Sequence, residues 1–156
     1  MNYPINIKDI KVNTEYYKEV VKAYNEAVAY LKRLDWCKGI KGTVLYTNLG
    51  SILCIFVFEI DNAASSEDDL IWVIVGDLPS MYLDTYGPKT TVQVLEDYTR
   101  LATNWIEHVK TGGSLHNCYP FETKPTIKMA AALEKRVSFI RTTLINNIEN
   151  IPISTI

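Results

Sequence analysis

Two segments in the middle of the chain are apolar along almost their whole length, and they constrain the fold more than any other feature of the sequence. Residues 52–60 read ILCIFVFEI, and residues 70–75 read LIWVIV. Successive side chains of an extended strand point to opposite faces of the sheet, so both segments present apolar side chains on both faces. An antiparallel sheet with one face in water would alternate apolar and polar residues instead. The sequence therefore predicts a buried sheet whose second face is covered by helices on both sides or by another chain.

A third strand is predicted just before these two segments. Residues 42–47 are rich in Thr, Val and Tyr, and residues 48–51 (NLGS) are typical of a tight hairpin turn. A polar loop then joins residues 52–60 to residues 70–75. Because short connections favour antiparallel neighbours, the three segments predict a three-stranded antiparallel meander with residues 52–60 in the centre.

Apolar residues that recur at three- and four-residue steps predict three amphipathic helices, over about residues 13–34, 90–111 and 125–150. Thr90 and Gln93 have the spacing of a capping box at the start of the second helix, and Gly112 can close that helix in the left-handed conformation. Pro125 is favourable in the first turn of the third helix. The sequence thus predicts a single α+β domain over residues 1–156, with short flexible ends at about 1–10 and 151–156. It consists of an N-terminal helix, the three-stranded meander and two long C-terminal helices packed on the sheet.

The charged residues are distributed unevenly along the chain. The net charge is −2, but residues 42–88 contain no Lys or Arg and carry seven acids, namely Glu59, Asp61, Glu67, Asp68, Asp69, Asp77 and Asp84. Nucleic acids are poor partners for such a face, because binding phosphates takes clustered basic residues. A basic protein surface or a metal cation suits it better. The alternative is that acids in loops keep a very apolar sheet soluble. The consecutive acids at 67–69 lack the alternation and central glycine of a calcium loop.

The stretch VIVGDLPSMYL, residues 73–83, predicts a sharp corner after the third strand. Gly76 permits a backbone conformation closed to other residues, and Asp77 can turn its carboxylate onto nearby backbone amides in an Asx-type turn. Pro79 then fixes the bend. Residues 80–83 are expected to form one short helical turn that tucks under the sheet.

Residues 72–79 read WVIVGDLP and are followed by Tyr82. This run resembles the W-V-I-x-G-D-L-P-x-x-Y signature of an uncharacterised bacterial domain family. The resemblance covers about residues 70–150 and includes the long amphipathic helix that carries Trp105. It implies the same architecture of a strand, a corner and two helices. The family has no established activity, so the resemblance implies no function.

The residues most often used in catalysis and metal binding are few. His108, His116 and Cys118 have the spacing H-x7-H-x-C, which matches no familiar zinc site, and no CxxC pair accompanies Cys37 or Cys54. No cofactor or metal is therefore predicted. The chain start lacks the pattern of a signal peptide, and the apolar runs are far shorter than the ~20 residues of a membrane helix, so a cytoplasmic protein is expected.

The first functional hypothesis is a small non-enzymatic module with an acidic face that binds a basic protein, for example as an inhibitor or immunity protein. It involves no nucleic acid and no membrane. Its binding residues are expected to be Glu67, Asp68, Asp69, Asp84 and Tyr86. Tyrosine combines apolar area with a polar tip and is favoured at interfaces, and three tyrosines are expected to form an exposed patch, namely Tyr16, Tyr30 and Tyr86.

Two further hypotheses stay open. In the second, the protein is a small enzyme with a pocket at the corner of residues 76–82, where Asp77 acts as acid or base beside Tyr82 or His116. In the third, the chain forms a homodimer or larger assembly through an uncovered sheet face or a strand edge.

Overall fold

The computed structural model describes residues 2–65 and 69–154. Within these residues the chain forms five strands and three α-helices. In chain order they are β1 (Ile5–Asn6), α1 (Tyr17–Lys32), β2 (Cys37–Asn48), β3 (Leu53–Asn62), β4 (Leu70–Gly76), β5 (Met81–Asp84), α2 (Thr91–Thr111) and α3 (Ile127–Phe139). A short 3₁₀ helix follows β1 at Ile7–Asp9, and a π-helical turn at Ile140–Leu144 extends α3. The fold is α+β, as predicted.

All five strands belong to one antiparallel sheet in the order β1-β2-β3-β4-β5. The three strands predicted from the sequence form the centre of this sheet as a meander. The prediction of three strands is nevertheless wrong, because β1 adds a strand beside β2 and β5 adds a strand beside β4.

The strand β5 also replaces the helical turn expected at residues 80–83. Met81 pairs with Ile74 and Asp84 pairs with Ile71, and the Met81 side chain is fully buried. The outer edge of β4 would otherwise leave a row of backbone N–H and C=O groups without partners. Pairing with β5 satisfies these groups, and this gain outweighs the local preference for a turn.

Helices of the same chain cover both faces of the sheet. The side chains of β3 alternate between two apolar clusters, one shared with α1 and the other shared with α2 and α3. The first cluster takes Cys54, Phe56 and Phe58, and the second takes Leu53, Ile55 and Val57. Apolar side chains on both faces of this segment are what the sequence predicts. Helices of the chain itself therefore bury both apolar faces of the sheet, and no second chain is needed to cover them.

The observed ends of α2 agree with the capping residues predicted from the sequence, whereas the ends of α1 and α3 differ from their predictions by several residues. The Thr90 side chain accepts a hydrogen bond from the Gln93 amide at 3.2 Å, and Gly112 closes α2 in the left-handed conformation with φ 70°. The N-cap role of Thr90 and the closing role of Gly112 are confirmed, whereas the Gln93 side chain accepts from the Lys89 amide at 2.6 Å and not from the Thr90 amide as a full capping box requires. The helix α1 begins at Tyr17, a few residues after the predicted start at residue 13.

The third helix differs from its prediction at both ends. Thr126 is the N-cap and accepts from the Met129 amide at 3.2 Å, so Pro125 lies before the cap and not in the first turn. The α-helix ends at Phe139 and continues only through the π-helical turn, where the Ile145 amide donates to the Ile140 carbonyl at 3.0 Å. The helix therefore stops short of residue 150.

Parts of both chain ends pair with the rest of the protein. In β1, Ile5 pairs with Leu45 of β2. Near the other end, Ile151 is buried, its amide donates to the Thr91 hydroxyl at 2.9 Å, and its carbonyl accepts from the Thr91 amide at 3.0 Å.

Candidate functional site

The strand register brings several acids of residues 42–88 to one end of the sheet. Glu59 pairs with Leu70 at the start of β4, and Asp61 lies two residues further along β3. Asp69 directly precedes β4, and Asp84 lies opposite Ile71. We call the group of Glu59, Asp61, Asp69 and Asp84 the acidic end. Glu67 and Asp68, which the sequence predicts as binding residues, lie outside the described residues.

Asp84 holds the chain in a tight turn after β5. Its carboxylate accepts hydrogen bonds from the amides of Tyr86 and Gly87, both at 2.9 Å. A methyl group built on Gly87 would lie 3.7 Å from an oxygen of Asp84 and 4.0 Å from an oxygen of Asp97, so the two carboxylates flank this glycine. The acidic end therefore gains Asp97 from α2, a residue that sequence reasoning missed because only the turn and the helix together bring it here.

The aromatic ring of Tyr86 is exposed beside this turn, at 64% of its full accessibility. The Lys89 ammonium lies 5.8 Å from the ring centre and donates to the Thr85 carbonyl at 2.5 Å. On the opposite side, the exposed Lys38 and Lys41 of β2 lie beside the end of β3. Lys38 and Lys41 thus border the acidic end on its β2 side, and its acids lie on the β3–β5 side.

Asp77 lies at the other end of the sheet. The seven residues of β4 separate it from Asp69, which makes eight residue steps and a distance of about 26 Å at ~3.3 Å per residue. Gly76 has φ 148°, and a Cβ atom at this position would lie 2.4 Å from the Ile52 carbonyl oxygen. Only glycine lets β4 end so close to the start of β3. The predicted role of Gly76 at a sharp corner is confirmed.

The carboxylate of Asp77 pairs with Arg136 of α3. Among the described residues it accepts no hydrogen bond from a backbone amide, as the expected Asx-type turn would require. The Arg136 Nη2 atom lies 3.2 Å and 3.4 Å from the two carboxylate oxygens. The same guanidinium donates from Nε to the Asp77 carbonyl at 2.9 Å and from Nη1 to the Ala132 carbonyl at 3.0 Å. The side chain of Asp77 is 71% exposed.

A cleft of about 790 Å³ opens beside this ion pair. Its walls are α1 around residues 19–26, the turn at residues 50–53, the bend at residues 76–78 and α3 around residues 135–140. We call it the α1–α3 cleft. The corner that the sequence singles out therefore borders a concave surface.

Tyr82 and His116, the expected helpers of Asp77, make their described contacts elsewhere. The Tyr82 ring packs on Trp36, with ring centres 4.8 Å apart, and its amide donates to the Tyr119 hydroxyl at 3.0 Å. His116 is exposed, and its amide donates to the Ser114 hydroxyl. In the described part of the chain neither residue forms a hydrogen bond or an ion pair with Asp77.

Tyr30 does not belong to an exposed patch, because it is buried against Tyr119 and Tyr82. Tyr30 is only 3% exposed, and its hydroxyl lies 2.8 Å from that of Tyr119, so the expectation of an exposed Tyr30 is wrong. Tyr30 turns inward because Tyr119 offers its hydroxyl a partner. Burial raises the pKa of Tyr119 to about 12 and also raises the pKa values of Tyr30 and Tyr82. Tyr16 is half-buried.

His108 and Cys118 both contact Asn104. A ring nitrogen of His108 lies 2.7 Å from the Asn104 carbonyl oxygen, and the Cys118 sulfur accepts from the Asn104 side-chain amide at 3.5 Å. Burial raises the pKa of the Cys54 thiol to about 12 and raises that of Cys37 as well. Over residues 2–65 and 69–154, no three His, Cys, Asp or Glu side chains come together as a metal site.

The fold defines an α+β protein with a five-stranded antiparallel sheet between α1 and the α2–α3 pair. The chain matches no protein-family model, no curated protein and no solved structure. The resemblance of residues 70–150 to an uncharacterised bacterial family stays a prediction. Among the described residues, none of the helices has the length and apolar character needed to cross a membrane.

Proposed function

We propose that the protein is a small non-enzymatic binding module whose acidic end binds a basic surface of another protein. The observation that carries this proposal is the strand register, which gathers Glu59, Asp61, Asp69 and Asp84 at one end of the sheet. Asp97 extends the same surface, and the exposed ring of Tyr86 supplies apolar contact area beside it. An inhibitor or immunity protein is one instance of such a module.

The chemistry of these carboxylates suits a protein partner better than a catalytic role. They lie on strand ends and turns, where they are exposed or half-buried. Exposed charges contribute mainly by steering a partner of opposite sign and by fixing its orientation. Lys and Arg side chains on a partner would meet the β3–β5 side, while Lys38 and Lys41 would repel a basic surface on the β2 side.

The two other hypotheses have less support. For the enzyme, the Asp77 carboxylate pairs with Arg136, and the described contacts of Tyr82 and His116 lie elsewhere. For self-association through a sheet face, α1 on one side and α2 with α3 on the other already bury β3 and β4.

The test compares two variants that each lose four negative charges. The acidic-end variant carries Glu59→Gln, Asp61→Asn, Asp69→Asn and Asp84→Asn. The control variant carries Glu15→Gln, Glu26→Gln, Glu107→Gln and Glu134→Gln, four exposed positions away from the acidic end. Asn at position 84 keeps an oxygen that can accept from the amides of the turn, so the fold is preserved.

Each protein is immobilised and used to capture partners from a lysate of its source cells, with the captured proteins identified by mass spectrometry. We expect the wild type and the control variant to retain the same basic protein and the acidic-end variant to lose it. A partner that all three proteins retain equally, or the absence of any partner retained by the wild type, would contradict the proposal.

A further inference from the structure

We propose that the α1–α3 cleft binds a small ligand in which a single carboxylate is attached to an apolar group, and that this carboxylate takes the place of Asp77 on Arg136. The site lies at the end of the sheet opposite the acidic end and is independent of the function proposed above. A volume of about 790 Å³ falls within the ~300–1,000 Å³ range of small-molecule sites.

Arg136 is held in position without the Asp77 carboxylate. Its Nε and Nη1 atoms donate to the main-chain carbonyls of Asp77 and Ala132 at 2.9 Å and 3.0 Å. These two bonds fix the guanidinium plane, because main-chain atoms of the bend and of α3 cannot move far. Among the described residues the Nη2 atom bonds only to the Asp77 carboxylate, and Arg136 lines the cleft. A guanidinium presented in this way suits a carboxylate.

The Asp77 carboxylate binds the Arg136 Nη2 atom only weakly. Its oxygens lie 3.2 Å and 3.4 Å from Nη2, longer than the ~2.7–2.9 Å of a strong charge-assisted hydrogen bond. The Asp77 side chain is 71% exposed, and ion pairs between exposed groups contribute little to stability. A ligand carboxylate can therefore replace it at small cost.

The cleft also exposes apolar side chains that a ligand would cover. Ile52 and Phe139 are 42% and 41% exposed, and both line the cleft together with Leu78. Phe139 lies at the end of α3, immediately before the π-helical turn at Ile140–Leu144. Such turns are rare in helices and are frequent at functional sites.

The other charged side chains that line the cleft favour a ligand with a single negative charge. Within the described residues, Lys22 and Lys135 form no ion pair, and they add positive potential to that of Arg136. Glu19 and Glu26 line the α1 wall and would repel a second anionic group. A phosphate with two charges is therefore disfavoured relative to a monocarboxylate.

Two sources could supply this chemistry, a free organic acid or the C-terminus of a peptide, and the probes distinguish them. Octanoate represents the acid, and N-acetyl-leucyl-leucine represents the peptide terminus. The matching amides, octanamide and N-acetyl-leucyl-leucinamide, have the same apolar groups without the charge. Binding to the whole protein is measured by titration calorimetry and by amide chemical-shift changes in NMR spectra.

We expect at least one of the two carboxylates to bind, and its amide to bind at least about tenfold more weakly, as the loss of a charge-assisted hydrogen bond predicts. Asp77→Asn should strengthen binding of that carboxylate several-fold, because the competing carboxylate is gone. Arg136→Gln should weaken it about tenfold or more. Glu134→Gln, which breaks the exposed Lys110–Glu134 ion pair of 2.8 Å, should leave binding unchanged.

The gain expected for Asp77→Asn keeps the proposal testable even if Arg136→Gln unfolds, since a folding defect cannot raise an affinity. Three results would overturn the proposal. They are equal binding of each acid and its amide, no gain in Asp77→Asn, and no binding of either carboxylate at concentrations up to about 10 mM.

Discussion

The hydroxyl groups of Tyr30 and Tyr119 lie 2.8 Å apart and join α1 to the connector that precedes α3. The Tyr119 hydroxyl also accepts a hydrogen bond from the Tyr82 amide of β5 at 3.0 Å. Because β5 is the last strand of the sheet, its outward amide would otherwise have no strand partner. One phenol thus links a helix, a loop and a strand edge, and it shields that edge from pairing with another chain.

The first prediction concerns this hydroxyl. Tyr119→Phe should lower the free energy of unfolding by about 1–3 kcal/mol, because the buried Tyr30 hydroxyl and the Tyr82 amide lose their partner. Tyr17→Phe is the control, since the Tyr17 hydroxyl has no hydrogen-bond partner among the described residues, and it should stay within about 0.5 kcal/mol. Urea unfolding measures both. Equal losses in the two variants would contradict the role of Tyr119.

The second prediction concerns stability at alkaline pH. Burial raises the pKa of Tyr119 from an ordinary value of 10.0 to about 12 and raises the pKa values of Tyr30, Tyr82 and Tyr98 too. The folded protein therefore holds these protons more tightly than the unfolded chain. Their contribution to stability should be complete below pH 10 and should be lost as the pH rises through about 12.

Urea unfolding at a series of pH values, together with tyrosinate absorbance, measures this dependence. Some of the ten tyrosines should titrate only as the protein unfolds. Titration of all of them together near pH 10, with the protein still folded, would show that the cluster is not buried as described.

The third prediction concerns the corner after β4. Gly76→Ala should destabilise the protein by about 2–4 kcal/mol, because the new Cβ atom would lie 2.4 Å from the Ile52 carbonyl oxygen and φ is 148°. Gly39→Ala is the matched control, since nothing lies within 4 Å of its Cβ position. Its effect should stay within about 0.5 kcal/mol in the same urea experiment. A tolerated Gly76→Ala would mean that β3 and β4 do not approach as closely as described.

The fourth prediction concerns oligomeric state. Because α1, α2 and α3 bury both faces of the sheet, the chain does not need a second copy to cover them. Sedimentation velocity at micromolar concentration should show a species of 17.8 kDa. A species of twice this mass would favour the third hypothesis, with association through a strand edge.

The central elements of the fold can be predicted from the sequence because their signals are local. The apolar runs at residues 52–60 and 70–75 predict strands buried on both faces, and Thr90 and Gly112 mark the ends of α2. Strands β1 and β5 have two and four residues, too few to show a periodic pattern. They form by pairing with the outer edges of β2 and β4, and those edges exist only in the folded sheet.

The pairings that define the candidate sites could not be predicted, since they join distant parts of the chain. Arg136 follows Asp77 by 59 residues, and Tyr119 follows Tyr30 by 89. From sequence alone, Arg136 is one more charged residue on a helix and Tyr30 is a tyrosine of uncertain exposure. The gathering of acids at one sheet end follows from the register of β3, β4 and β5, of which the sequence predicts only the first two as strands.

The affinity for the captured basic partner tests the central claim most directly. Titration calorimetry with the purified partner gives dissociation constants for the wild type, the acidic-end variant and the control variant. We expect the acidic-end variant to bind at least about tenfold more weakly and the control variant to stay within about twofold of the wild type. Equal weakening in both variants would show that net charge alone drives binding, and unchanged affinity in the acidic-end variant would show that the partner binds elsewhere.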